Sequence, residues 1–127
     1  MLDHVGLKVH DFPKAKAFYK SVLAPLGYEM VIELTPEMGL GYVGAGFGPP
    51  GKAEFWIGTG AANGPVHVAF LAPNRAAVEA FYAAAIAAGG TDHGPPGVRT
   101  HYHPNYYGAF VLDADGNNVE AVCHTTA

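Results

Sequence analysis

The chain repeats itself once. Displaced by 63 positions, His4-Val5 falls on His67-Val68, Ala17-Phe18-Tyr19 on Ala80-Phe81-Tyr82, Ala24 on Ala87 and Gly27 on Gly90. One offset thus joins a strand-like segment, a helix-like segment and the glycine that stops the helix. Only two copies fit in 127 residues, which excludes a solenoid and points to a duplicated supersecondary unit of about 60 residues.

Residues 2–9 alternate, with Val5, Leu7 and Val9 on one face, and read as a strand. Asp11 stands at an N-cap position, Pro13 suits a first helical turn, and Ala15, Phe18, Tyr19, Val22 and Leu23 recur at helical spacing up to Pro25 and Gly27. Residues 28–34, 40–45 and 53–59 read as three more strands, with 46–51 as a Gly- and Pro-rich loop. The second half repeats the order. A strand at 65–71 precedes a helix capped by Asn74 and stopped by Gly89-Gly90. Then come a weak strand at 91–94, a clear one at 107–113, a turn at Asp113-Ala114-Asp115-Gly116-Asn117, and a last strand at 118–124. Each half is βαβββ. The expected fold is α+β: one domain over 1–127, module one about 1–60 and module two about 64–127. The two modules are expected to form a curved mixed sheet around a cavity, helices outside.

Strand alternation sets the faces. If Val5, Leu7 and Val9 pack on the first helix, His4, Gly6 and Lys8 look the other way. By the same argument His67 and Ala69 look away from the second helix, and Glu120 shares a face with Asn118, Val122 and His124. Three strands thus each carry one metal-ligating side chain opposite their helix-facing residues. Two imidazoles and a carboxylate on strands suit a divalent ion with open coordination positions: Fe, Mn, Ni, Co or Zn.

These features carry a resemblance that covers nearly the whole chain. Asp3-His4-Val5-Gly6-Leu7, Phe18-Tyr19, Gly64-Pro65-Val66-His67-Val68-Ala69-Phe70 and the ending Phe110-Val111-Leu112-Asp113-Ala114-Asp115-Gly116-Asn117-Asn118-Val119-Glu120 resemble the vicinal oxygen chelate superfamily. Its members include glyoxalase I, bleomycin-resistance proteins, fosfomycin-resistance enzymes and extradiol dioxygenases. The resemblance implies that His4, His67 and Glu120 bind a divalent ion and that a small oxygenated substrate chelates it through two oxygens. The implied activity is of the lyase, isomerase or dioxygenase type. A metal-free, drug-sequestering protein of the bleomycin-resistance type is the alternative. There is one departure: at the place of glyoxalase I's fourth ligand, a Glu, this chain has Trp56, with Glu54 two residues away.

The stretch Thr100-His101-Tyr102-His103-Pro104-Asn105-Tyr106-Tyr107 is dense in polar aromatics. One reading makes it a substrate-lining loop, with His101 or Tyr102 in acid–base chemistry and Tyr106 and Tyr107 as wall. In the other, its rings cover the core edge. Trp56 divides the same way between wall and core filler. Arg99 is read as a carboxylate holder or a surface residue, and His124 as a neighbour of the metal or an exposed one. Cys123, the only cysteine, is read as an inert core thiol. The net charge of −4, with seven Lys and Arg, leaves no basic stripe for nucleic acid. No apolar run is long enough for a membrane helix, and no signal peptide is apparent at Met1-Leu2-Asp3-His4, so a cytoplasmic location is expected. A half-module leaves open sheet edges that need a partner, so a homodimer is expected.

Overall fold

The computed structural model describes residues 1–61 and 64–127. Each half is one four-stranded mixed sheet with one helix. The first sheet has the order β1-β4-β3-β2, built from β1 (Val5–Val9), β2 (Glu29–Leu34), β3 (Gly44–Gly48) and β4 (Phe55–Thr59). The second has the order β5-β8-β7-β6, built from β5 (His67–Leu71), β6 (Thr91–Val98), β7 (Tyr107–Leu112) and β8 (Asn118–Cys123). In both, the first strand of the module runs parallel to the last, and the other pairs are antiparallel. The βαβββ pattern and the α+β class are as expected. The two sheets remain separate: β1 and β5 are outer strands and are not hydrogen-bonded to each other.

Helix α1 (Phe12–Leu23) starts where the Asp11 side chain accepts from Lys14 N at 3.1 Å, and it passes through a 3-10 turn to Gly27, whose φ of +87° ends it. Helix α2 (Arg75–Ala87) starts where Asn74 accepts from Ala77 N at 2.8 Å. Phe18, Tyr19, Val22 and Leu23 of α1 and Val78, Phe81 and Ala85 of α2 are buried in one continuous core. Phe55 and Phe70, 5.0 Å apart and edge-on, join the two sheets through it. Buried Tyr19 also donates to Asp113 Oδ2 at 2.5 Å, tying the first helix to the turn between β7 and β8.

Two strands differ from expectation. β3 lies at Gly44–Gly48, not at 40–45, so residues 46–48 of the expected loop are strand and only 49–51 turn. β3 is buried throughout between β2 and β4. A Cβ on Gly44 would stand 2.9 Å from Ile57 O, and one on Gly48 would meet Lys52 O at 1.8 Å. The glycines are there because neighbouring backbone leaves no room. β6 runs on to Val98 through two register shifts against β7, which carry it past Pro95 and Pro96.

Candidate metal and ligand site

His67 opens β5 and Glu120 sits mid-strand on β8; in register, His67 faces Asn118 and Ala69 faces Glu120. Both side chains leave the sheet on the face away from α2. β8 lies between β5 and β7, so Glu120 is 1% exposed although an open recess adjoins it. Each carboxylate oxygen has a partner, as burial of a charge requires. His67 Nε2 lies 2.8 Å from Oε1, and Tyr106 Oη donates to Oε2. Burial, and then the hydrogen bond to Glu120, push the Tyr106 phenol above its usual range. Gly108 makes this possible: a Cβ there would stand 3.1 Å from Tyr106 Cε1 and 3.4 Å from Glu120 Oε2.

His67, Tyr102, Tyr106, Phe110 and Glu120 enclose a recess of about 280 Å³. The 99–106 loop closes on itself through Arg99 N to Tyr106 O at 2.7 Å and carries a run of rings. His101 packs on Tyr102 at 4.1 Å, Tyr102 on Tyr106 at 5.0 Å, and Tyr106 on His124 at 5.4 Å. His101 and His124 therefore stand behind the lining tyrosines. Arg99 reaches over Phe110, its guanidinium carbon 5.6 Å from the ring centre, and donates to Pro95 O.

Tyr107, expected on this wall, is on the other side of the sheet. It alternates with Gly108 along β7, so its hydroxyl donates to Glu79 of α2 at 2.6 Å and Arg75 lies 4.7 Å over its ring. The bond between Tyr106 and Glu120 is not legible in the hydrophobic pattern; its one sequence signal is the glycine at 108, the second residue of β7.

His4 lies elsewhere. It borders a second recess, of about 400 Å³, on the corresponding face of the first sheet, together with Lys8, Leu34, Tyr42 and Trp56. Its Nδ1 is 2.7 Å from Asp3 Oδ2. This contact first, and then Lys52, hold the Asp3 carboxyl below its usual pKa. Thus His67 and Glu120 come together within the chain, and His4 does not join them. Among the described residues no three His, Cys, Asp or Glu side chains stand close enough to hold a metal ion.

The first recess is shaped by an exchange. Gly6 faces Trp56 across β1 and β4, as Ala69 faces Glu120 across β5 and β8. Gly6 and Ala69 are repeat partners, so Trp56 holds the place of Glu120. Across the next strand Trp56 faces Gly46, where Glu120 faces Phe110. A Cβ on Gly46 would lie 3.0 Å from Trp56 Cζ2, so that glycine admits the indole. Glu54, the neighbouring carboxylate, is engaged by Tyr28 Oη at 2.5 Å.

The family model for the Glyoxalase/Bleomycin resistance protein/Dioxygenase superfamily matches residues 1–121. Among solved structures, a glyoxalase/bleomycin resistance protein from Albidiferax ferrireducens T118 is 30% identical, with 97% of this chain and 98% of that one covered and a TM-score of 0.77. A glyoxalase/bleomycin resistance protein/dioxygenase family enzyme from Burkholderia phytofirmans PsJN is 21% identical over 97% and 98%, with a TM-score of 0.69. Glyoxalase I from Zea mays is 19% identical, with 95% of this chain but 43% of that one covered and a TM-score of 0.70. No curated protein matches the chain. Among the described residues no helix is long and apolar enough to cross a membrane.

Proposed function

We propose that this chain, which belongs to the glyoxalase/bleomycin resistance protein/dioxygenase superfamily, is a metal-dependent enzyme of lyase, isomerase or dioxygenase type acting on a small oxygenated molecule. The observation that carries the proposal is the contact of His67 Nε2 with buried Glu120 Oε1 at 2.8 Å, beside a recess. An imidazole nitrogen and a carboxylate oxygen 2.8 Å apart, with the other oxygen held by Tyr106, are a donor pair that fits a divalent ion. The third donor is His4 of the partner subunit in a homodimer, each site joining the first half of one chain to the second half of the other. The edges of both sheets support this. Leu2, Val5, Val66 and Leu71, on or beside outer strands β1 and β5, are 85%, 38%, 42% and 71% exposed, an apolar margin that pairing would cover. The single continuous core supports reading 1–127 as one domain.

A bound Fe, Mn, Ni, Co or Zn ion supplies Lewis acidity toward a ligand with two adjacent oxygens. The chain's own residues do the rest. Tyr106 fixes the orientation of the Glu120 carboxylate and keeps Oε2 occupied, leaving Oε1 and His67 as donors. Phe110 and Tyr102 wall the recess and exclude water from the ligand's apolar part.

The test is elemental analysis of protein purified without chelator or histidine tag and reloaded with each of the five metals. Retention of about one ion per chain, lost in His67→Ala, supports the reading. A wild type that retains none overturns it in favour of a metal-free binding protein.

A further inference from the structure

We propose that the recess of the first sheet is a binding site for a flat aromatic carboxylate, its ring stacked on Trp56 and its acid group held by Lys8. This deepens the proposed function by naming the substrate class, and it rests on that reading only for the ligand's subsequent chemistry. Two glycines, Gly6 and Gly58, border the floor and put no side chain into it, and a Cβ at Gly6 would lie in ordinary contact, 3.6 Å from Trp56 Cβ. Trp56 is half-buried and lines the recess beside these glycines, so part of its ring faces the open volume. The other large walls are Leu34 and Tyr42, so the interior is apolar and aromatic, suited to a planar π-system.

The charge is one-sided. Lys8 and His4 are the ionisable side chains with basic groups on the lining, and no carboxylate is on it. Lys8 forms no ion pair among the described residues. Its ammonium stands 5.9 Å over the Tyr42 ring, and its stem lies against Gly60, where a Cβ would come within 3.0 Å of Lys8 Cδ. An unpaired cation held beside an apolar slot, in a chain of net charge −4, selects an anion locally and not by long-range attraction. His4, the residue before β1, and Lys8 on β1 are four residues or about 13 Å apart in extended chain, with Trp56 opposite Gly6 between them. A ligand with its acid at Lys8 and its ring over Trp56 turns its far end toward His4, one of the proposed metal donors.

The experiment is calorimetric titration of the protein as purified with trans-cinnamate, trans-cinnamamide and 3-cyclohexylpropionate. The amide keeps the shape and loses the charge; the cyclohexyl acid keeps the charge and loses planarity. Saturable cinnamate binding, with each control about five- to tenfold weaker, is expected. Lys8→Met, an exposed change that spares the core, removes the preference for cinnamate over its amide, and Tyr107→Phe, on the far face of the second sheet, leaves it intact. The proposal is overturned by equal binding of acid and amide, by an undiminished preference in Lys8→Met, or by no binding at all. A wild type that retains no metal but keeps the preference sinks the metal reading alone. Metal retention without the preference sinks this one alone.

Discussion

Trp56 occupies in the first sheet the register position that Glu120 occupies in the second. The duplicated scaffold therefore presents two equivalent places, one filled by a carboxylate and one by an indole. Each has a matched neighbour: Phe110 beside the small-footprint Glu120, Gly46 beside the large Trp56. Exchanges of this kind keep both sheets filled while giving the two recesses different chemistry, one donor-lined and one aromatic.

Trp56→Glu follows from that equivalence. It sets a carboxylate on the same face as His4, next to bare Gly6. In the proposed composite site it adds a negatively charged donor, and affinity for a divalent ion rises by roughly tenfold or more. Competition with a metal-indicator chelator measures this. Unchanged affinity in a folded variant means that the first sheet does not face the metal.

Tyr106→Phe leaves Glu120 Oε2 buried with no donor. The metal-free variant loses about 1–3 kcal/mol in urea unfolding, because an unsatisfied buried acceptor bears its full desolvation cost. Tyr107→Phe, one residue on, removes only the solvent-exposed bond to Glu79 and costs less than about 1 kcal/mol. Equal losses for the two would contradict the face assignment along β7.

Much of this arrangement is legible in the sequence. The repeat of His4-Val5 in His67-Val68 marks equivalent strands, and Asp11 and Asn74 mark helix starts, because these signals are local. The alternation of Glu120 with Val119 and Ala121 gives its face for the same reason. What is not legible depends on register between strands. Trp56 and Glu120 are 64 positions apart, whereas the strand and helix repeats are 63 apart, so the equivalence appears only when β1 and β4 are aligned. Tyr106 and Tyr107 are adjacent identical residues sent to opposite faces, and only the exact start of β7 separates them. The buried role of Gly44–Gly48 is hidden because close backbone approach leaves no mark on hydrophobic pattern.

Asp113 is more valuable than its position in a turn suggests. It accepts from Tyr19 Oη, from the backbone of Asp115 and Asn117, and from Asn117 Nδ2. Asp113→Ala strands all four donors and loosens the first helix from the second half, costing about 3–5 kcal/mol against about 1–2 for Tyr19→Phe. Urea unfolding of both variants checks the order; a Tyr19→Phe loss as large as that of Asp113→Ala would contradict it.

Burial, aided by the bond to Glu54, pushes the Tyr28 phenol up to about 12 from an unfolded value of 10.0. The folded state thus holds this proton more tightly, and the contribution to stability is complete below pH 10 and lost as pH rises through about 12. The stability difference between wild type and Tyr28→Phe should therefore shrink across that window. A difference independent of pH there would mean that the phenol does not keep its proton in the fold.

The last prediction separates a shared site from one within a chain. In the proposed homodimer, each site takes His4 from one subunit and His67 and Glu120 from the other. His4→Ala alone damages both sites, and so does His67→Ala alone. A heterodimer of the two variants is different. The His67→Ala chain contributes an intact His4, and the His4→Ala chain contributes an intact His67 and Glu120, so one site is whole and the other is doubly defective. Co-expression with two different tags, cleaved after tandem purification, isolates that heterodimer. It should retain about one ion per two chains, half the wild-type load, while each parent homodimer retains little, since loss of one ligand from a three-donor site costs affinity steeply. If the site lay within a chain, every site in the heterodimer would lack one histidine and nothing would be restored. A heterodimer as empty as its parents, or variants that never associate, would show that His4 is not the partner of His67 and Glu120 across an interface.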